Sequence, residues 1–193
     1  TPTGIRITEE GAKTGGYVFN EKSRVVVMEG EHFYATQNTA KTNWTVIPDL
    51  GRTLSGIALM PYTETTKGAS LEYKMNLQTK KDSVKLRVFF DSTLPFKKGG
   101  QSVAASFNGA NEKVWNINDQ LTWANNYSKM YPAGAARMIE TTVTLTLPKT
   151  SDGSYTLILK PLDPGIVVYK IIVDTDGFEQ TYLKMDESPY NRK

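Results

Sequence analysis

The chain of 193 residues contains no cysteine and a single histidine, His32. Without cysteine, disulfide bonds, thiolate zinc sites and cysteine nucleophiles are excluded. A Ser-His-Asp triad would have to be built on His32, and a transition-metal site has no second imidazole or thiolate to use. Because His32 stands beside Phe33 and Tyr34, we interpret it as a hydrogen-bonded packing residue. The absence of cysteine fits a cytosolic protein and a bacterial surface protein equally well.

Long apolar runs and clusters of basic residues are missing as well. No stretch approaches the ~20 apolar residues that span a bilayer, so we predict no membrane span. The net charge is only +3, and the lysines and arginines are scattered instead of forming a stripe. We therefore predict no nucleic-acid partner. No signal-peptide pattern is visible, and we expect a mature protein or an excised domain.

What the sequence does have is a strong alternation of apolar and polar residues with a period of two. This spacing is typical of strands with one buried and one solvated face. It occurs in segments 70–80, 83–91, 141–148 and 154–160. Segments 24–34 and 165–174 are more continuously apolar, which is typical of central strands. The Asp152-Gly153 pair between two alternating segments predicts a hairpin.

One long segment, residues 118–140, breaks this pattern. A cap at Asn118 or Asp119, followed by apolar residues at helical spacing, predicts one or two helical turns. Pro132 and Gly134 interrupt any longer helix. We interpret the segment as a long excursion from the strands on either side of it.

Many short strands separated by turn residues predict an all-β fold, an antiparallel β-sandwich. No internal repeat, low-complexity tract or linker interrupts the sequence. We therefore predict a single domain over residues 1–193, with a core over about residues 17–176 and a C-terminal tail over 177–193.

A set of motifs adds to this pattern. The motifs are Glu29-Gly30-Glu31-His32, Trp44, the run from Ile47 to Thr53, and Asp163-Pro164-Gly165 before a late strand ending at Asp174. With them, roughly residues 17–190 resemble the C-terminal domain of glycoside hydrolase family 115, a family of α-glucuronidases. The resemblance implies a galactose-binding-like jelly roll akin to carbohydrate-binding modules, attached to enzymes that remove glucuronate from xylan. It also implies a separate catalytic domain and a secreted, periplasmic or cell-surface location in bacteria.

Glu29 and Glu31 are candidate metal ligands. Two residues apart on a strand, their carboxylates would point to one face, which suits a hard cation such as calcium. This strand resembles the Glu-x-Glu strand of carbohydrate-binding module families 6 and 35, where the pair holds a structural calcium with an aspartate from the last strand. Tyr169 stands at the comparable position here, so we consider Asp174, further on, as the third ligand. Pairing of the acids with arginine or backbone amides is the alternative.

Residues 43–56 provide the first candidate carbohydrate site. A planar guanidinium binds a carboxylate through two parallel hydrogen bonds, and a uronic acid presents such a carboxylate to Arg52. Asp49, three residues earlier, could instead neutralise Arg52 inside the loop. We interpret the stretch mainly as a scaffold loop that lends Arg52 and Trp44 to a site.

The second candidate site lies in and beside the irregular segment. Trp115, Trp123, Tyr127 and Asn126 place aromatic planes beside an amide, which is the composition of a sugar site. A loop with a small core of its own would have the same composition. Because binding residues concentrate on loops carried by a rigid scaffold, we expect one or two of these rings to be exposed.

Three functions remain open. The first is an accessory domain that binds a poly- or oligosaccharide during plant polysaccharide degradation, with glucuronoxylan as the expected type. The second is a structural or dimerisation domain that packs on a glycosidase catalytic module. The third is a free-standing hydrolase, for which no acid pair stands out among the 20 Asp and Glu residues. We expect no cofactor other than the calcium considered above.

Overall fold

The computed structural model describes residues 15–94, 98–119 and 133–192, and these residues form two facing β-sheets. The predicted all-β sandwich is therefore confirmed. The strands are β1 (Tyr17–Asn20), β2 (Val25–Glu29), β3 (Ala35–Gln37), β4 (Asn43–Ile47), β5 (Gly56–Met60), β6 (Ser70–Asn76), β7 (Ser83–Asp91), β8 (Ser102–Phe107), β9 (Ala110–Asn116), β10 (Met138–Thr146), β11 (Ser154–Pro161), β12 (Val167–Asp174) and β13 (Tyr190–Arg192).

The two sheets, named A and B here, have different strand orders. Sheet A has the order β13-β1-β6-β11-β8-β9, and β3 also pairs with β6. Sheet B has the order β10-β7-β12-β5-β4, and β2 also pairs with β12. The pair β1–β6 is parallel, whereas the long pairs β7–β10 and β6–β11 are antiparallel. Neighbours in the sheets are therefore often far apart in sequence.

The core between the sheets follows from the period-two pattern. On β6, Leu71, Tyr73 and Met75 are fully buried, while the side chains between them are more exposed. Leu86 and Val88 of β7 are also fully buried and face the core from sheet B. Since successive side chains of a strand point to opposite faces, each alternating segment gives one row to the core.

The two continuously apolar segments form β12 and β2, and only one of them is central. Every residue of β12 is buried, and the strand pairs with β2, β5 and β7. Every residue of β2 is buried too, although β12 is its one partner strand. The prediction of a central position is therefore wrong for β2. The strand is buried throughout because both of its faces are covered.

The cover on the outer face of sheet B is the C-terminal segment 175–189, which we call the strap. Phe178 lies against Arg87 of β7, with the guanidinium carbon 3.9 Å from the ring centroid. Lys184 pairs with Glu140 of β10 at 3.1 Å. The strap and the outer face share a second apolar cluster with the members Val25, Val27, Ala58, Phe89, Met138, Val167, Tyr169, Ile172, Ile47, Leu50, Phe178 and Met185.

The end of the strap lies along the free edge of β2. Ser188 N–H donates to the Val27 carbonyl at 2.9 Å, and Val27 N–H donates to Ser188 Oγ at 2.9 Å. The Glu29 N–H donates to Glu187 Oε1 at 2.9 Å. These bonds satisfy strand-edge groups that would otherwise lack partners. The chain then joins sheet A as β13, so the predicted tail is an integral part of the fold.

Asp174 starts the strap at the end of β12. Its Oδ1 accepts from the backbone N–H groups of Asp176, Gly177 and Phe178 at 2.9, 3.0 and 3.2 Å. A side chain at Gly177 would place a Cβ only 1.9 Å from the carbonyl oxygen of Ser23. The turn therefore needs both the aspartate and the glycine.

The stretch 43–56 differs from its predicted form. Residues 43–47 are strand β4, which pairs with β5 in antiparallel register, so only the connection 48–55 is a loop. Pro48 and the glycines of the loop hid the alternation of Trp44 and Val46, both of which pack in or against the core.

Of the predicted excursion 118–140, residues 120–132 lie outside the described part of the chain. Residues 133–135 are helical, and β10 begins at Met138. Within the described ranges, the chain has no helix long and apolar enough to cross a membrane.

We expect Phe178→Ala to lower the free energy of unfolding by about 1–3 kcal/mol, since it removes a large ring that covers sheet B. Leu94→Ala is the matched control, because Leu94 is 86% exposed and its removal should cost less than about 0.5 kcal/mol. Urea unfolding of both variants measures the difference. Equal stability of the two variants would show that the strap contributes nothing to the fold.

Candidate functional site

A hollow of about 510 Å³ lies between the strap and the turn that connects β1 to β2. Its apolar wall is formed by Val25, Val27 and Met185, which belong to the second apolar cluster. Its polar lining consists of Lys22, Ser23, Glu179, Thr181, Asp186, Glu187 and Ser188. This volume lies within the range of about 300–1,000 Å³ that is usual for ligand pockets. An apolar wall with polar groups around it can bind a ring that has both kinds of surface.

Tyr182 adds an aromatic plane to the wall of the hollow. Its side chain is among the most exposed of the large hydrophobic groups in the described chain, at 79%. Leu183 beside it also lines the hollow. An exposed tyrosine offers an apolar face for stacking together with a polar hydroxyl.

Arg52 lies against the ring of Tyr182. Its guanidinium carbon is 4.9 Å from the ring centroid, which is the geometry of a cation–π contact. Its Nη1 lies 4.0 Å from Met138 Sδ. In the part of the chain that the structure describes, the Arg52 guanidinium forms no ion pair, not even with Asp49. Apart from the Nη1 donor that faces Met138 Sδ, its N–H groups have no hydrogen-bond partner among the described residues.

The loop that carries Arg52 is fixed to sheet B by its next residue. Thr53 Oγ1 donates a hydrogen bond of 2.6 Å to Glu29 Oε1. Leu50 of the same loop packs against the second apolar cluster. The loop 48–55 and the strap thus lie side by side, and Arg52 and Tyr182 meet where they touch.

Two of the predicted carbohydrate-binding tryptophans face inward. Trp44 is 2% exposed in the core, and its Nε1 donates to the Gln37 carbonyl at 3.1 Å. Trp44 is therefore a packing residue, and its prediction as a binding residue is wrong. Trp115 is partly buried against the core, and its Nε1 donates to Thr141 Oγ1 at 3.1 Å. It borders the sandwich at β9, away from the strap.

The remaining residues of the second predicted site, Trp123, Tyr127 and Asn126, lie outside the described residues. Arg52 is thus the one predicted carbohydrate-binding residue that the structure places near the hollow: it lies in a separate small cleft with Met138 and contacts Tyr182, which lines the hollow. Tyr182 was missed because the predicted tail offered no strand or motif to place it. The signal available was the aromatic content of a polar C-terminal segment, which holds Phe178, Tyr182 and Tyr190.

The three predicted metal ligands do not come together. Strand β2 ends at Glu29, and Glu31 lies in the following turn. The turn begins at Gly30, which lies so close to β12 that its N–H donates to the Tyr169 carbonyl at 2.6 Å and a Cβ there would lie 2.5 Å from the Val168 carbonyl oxygen. The prediction that the carboxylates of Glu29 and Glu31 point to one face of a strand is therefore wrong.

Asp174 lies at the far end of this pairing. It is opposite Val25, whereas Lys170 is opposite Glu29. Asp174 Oδ1 is also occupied, because it accepts hydrogen bonds from backbone N–H groups of the turn that starts the strap. Among the described residues, no group of three or more acidic or histidine side chains could hold a metal ion. The residues present do not fit the calcium site that the resemblance implied.

His32 forms a hydrogen-bonded pair with the strap. Its Nδ1 lies 2.9 Å from Glu187 Oε1, and its ring stacks on Tyr17 with 4.5 Å between ring centroids. Burial lowers the pKa of His32, but the hydrogen bond and charge of Glu187, with the charges of Glu31 and Glu29, outweigh burial and raise the pKa above its ordinary value. The imidazole therefore connects the turn after β2 to Glu187 of the strap.

Comparison with known proteins supports a carbohydrate-related family. Residues 18–187 match the family model described as the glycosyl hydrolase family 115 C-terminal domain. No curated protein matches the sequence significantly. The structure resembles a family 35 carbohydrate binding module from Clostridium thermocellum, with a TM-score of 0.50, 15% identity, and coverage of 77% of this chain and 97% of that one.

Two larger enzymes contain a similar fold. One is BtGH115A, a family GH115 4-O-methyl-α-glucuronidase with specificity for decorated arabinogalactans, with a TM-score of 0.51, 19% identity, and coverage of 73% of this chain. The other is an exo-β-1,3-galactanase from Phanerochaete chrysosporium, with a TM-score of 0.51, 14% identity, and coverage of 79% of this chain. The chain spans 17% and 30% of their lengths. At these identities the likeness shows the fold alone.

We predict that NMR titration of the single imidazole gives a pKa above about 6.5 for His32. Because the folded-state pKa is raised, the pair stabilises the fold below about pH 6.5, and this contribution is lost as the pH rises through the folded-state pKa. Glu187→Gln should lower the His32 pKa, since the carboxylate that raises it is then missing while burial still lowers it. Asp186→Asn, a neighbouring change on the strap, should leave the His32 pKa unchanged. An unchanged pKa in Glu187→Gln would contradict the assigned cause.

Proposed function

Because the chain belongs to the glycosyl hydrolase family 115 C-terminal domain family, we propose that it is a carbohydrate-binding accessory domain of a glycoside hydrolase. In this proposal the domain is not catalytic. The enzyme it resembles in fold is a much longer chain, of which the present fold covers 17%. The glycosidic chemistry is assigned to the remainder of such an enzyme. We place the activity outside the cytoplasm, at a secreted, periplasmic or cell-surface location.

The observation that carries the proposal is the exposed ring of Tyr182 at the hollow. Pyranose rings present C–H groups that stack on aromatic faces, while their hydroxyls need donors and acceptors around the rim. The lining of the hollow supplies both, because Lys22 and Ser23 face Glu179 and Asp186 across an apolar wall. Binding here therefore joins stacking to hydrogen bonding.

Arg52 leads to a finer proposal about the sugar. Its guanidinium lacks an ion pair among the described residues and lies over Tyr182, so a sugar stacked nearby can reach it with a carboxylate. Two parallel hydrogen bonds to a carboxylate are stronger than bonds between neutral groups and fix its orientation. We therefore propose that the ligand is a polysaccharide decorated with glucuronate, of the glucuronoxylan type.

The alternative is a structural domain that packs on a catalytic module or on a second copy. Leu54 of the loop is 40% exposed and Leu183 of the strap is 44% exposed, and Tyr182 of the strap is exposed where it contacts Arg52. Exposed apolar groups at one place also mark protein interfaces. Light scattering separates the two functions, since a dimerisation domain self-associates and a carbohydrate-binding module need not.

We predict that glucuronoxylan retards the isolated domain in affinity gels and that Tyr182→Ala weakens this binding by about 5- to 30-fold. The basis is that loss of a stacking contact costs about 1–2 kcal/mol. Tyr62→Ala is the matched control, since Tyr62 is an exposed tyrosine in the β5–β6 connection. This variant should bind glucuronoxylan as the unaltered domain does. Equal retardation of both variants would remove Tyr182 from the site.

Arg52→Gln tests the carboxylate. It should abolish the preference for glucuronate-decorated xylan over undecorated xylan, a loss of about 10- to 150-fold, because a charge-assisted pair of hydrogen bonds is worth about 1.5–3 kcal/mol. Gels with decorated arabinogalactan and with neutral xylan serve as the comparison. If no plant polysaccharide retards the protein and light scattering shows a dimer, the carbohydrate-binding proposal is wrong and the interface function is favoured.

A further inference from the structure

The ammonium of Lys170 lies in a complete cage of oxygen atoms. Its Nζ donates to the carbonyls of Leu183 and Met185, each at 3.0 Å, and lies 3.0 Å from Glu29 Oε1. An ammonium has three N–H donors, and each has a partner here. Lys170 is 4% exposed, so water does not share in this coordination.

The three oxygen atoms come from different layers of the molecule. Glu29 belongs to β2 in sheet B, and the two carbonyls belong to the strap that covers this sheet. Glu29 Oε1 also accepts the hydroxyl of Thr53, which fixes the loop 48–55. One buried cation thus connects the sheet, the strap and the loop that carries Arg52.

This oxygen set has the chemistry of a hard-cation site. A carboxylate and two backbone carbonyls are ligand types that calcium prefers, but calcium needs six to eight oxygens at about 2.3–2.6 Å. Here the oxygens lie at hydrogen-bond distance from a nitrogen, and Asp174 lies elsewhere along β12. The Glu29 carboxylate is already paired with a positive charge of the chain itself, the ammonium of Lys170.

We propose that Lys170 is a built-in cation that takes the place of a metal ion and closes the strap over sheet B. A buried charge pair contributes little compared with apolar packing, but removing one partner leaves the other charge buried and unpaired. The strap therefore depends on Lys170, and the fold is independent of divalent metal. This inference does not require that the domain binds sugar.

The first experiment measures the thermal unfolding of the unaltered protein with EDTA and with calcium chloride. We expect midpoints within about 1 °C of each other, because the ammonium leaves no place for a divalent ion beside Glu29. A midpoint several degrees higher in calcium than in EDTA would overturn the proposal. This result does not depend on whether any variant folds.

The second experiment compares Lys170→Met with Lys85→Met. Lysine 85 is exposed on β7, so its loss should leave the unfolding midpoint unchanged, whereas Lys170→Met should lower it by about 6–20 °C. Adding Glu29→Gln to Lys170→Met should recover part of this loss, because no unpaired charge then remains. Absence of any recovery would show that the lysine acts through its packing alone and would overturn the proposal.

Hydrogen exchange locates the effect. The amides of Glu29 and Ser188 form the bonds between β2 and the strap, and they should exchange faster in Lys170→Met by tenfold or more. Amides of the β6–β11 pair in sheet A should keep their order of protection relative to each other. Equal acceleration in both sheets would mean that Lys170 does not act on the strap, which also overturns the proposal.

Discussion

The structure depends on how the outer face of sheet B is closed. A sandwich of two sheets buries the inner faces and leaves the outer faces to water, yet β2 and β12 are buried on both faces. The strap resolves this conflict by covering the outer face and completing the edge of β2. The buried pair of Glu29 and Lys170 lies at the centre of the cover. Without the strap, Lys170 would keep only Glu29 of its three oxygen partners.

This closure decides where the protein can bind a ligand. The outer face of sheet B is covered by the chain's own residues, so the accessible groups on this side of the described structure lie at the borders of the strap. Tyr182 and Arg52 meet at one border, and the hollow beside the β1–β2 turn adds polar groups and an apolar wall. The same segment therefore stabilises the fold and forms the proposed binding surface.

The sequence predicted the features that depend on local pattern. Alternation identified β6, β7, β10 and β11, because half-buried strands require it wherever they occur. It could not place the strap, since the bond between Val27 and Ser188 joins residues 161 positions apart. Trp44 was misplaced because Pro48 and nearby glycines made a strand resemble a loop. Lys170 was overlooked, although a lysine within an apolar strand indicates a buried partner.

The central claim is that the strap presents a sugar site at Tyr182, and chemical-shift mapping with a glucuronate-decorated xylooligosaccharide tests it most directly. The account predicts that the shifted amides belong to residues 179–188, to Lys22 and Ser23, and to the loop around Arg52. Shifts confined to sheet A or to the edge at β9, with the strap unaffected, would contradict it.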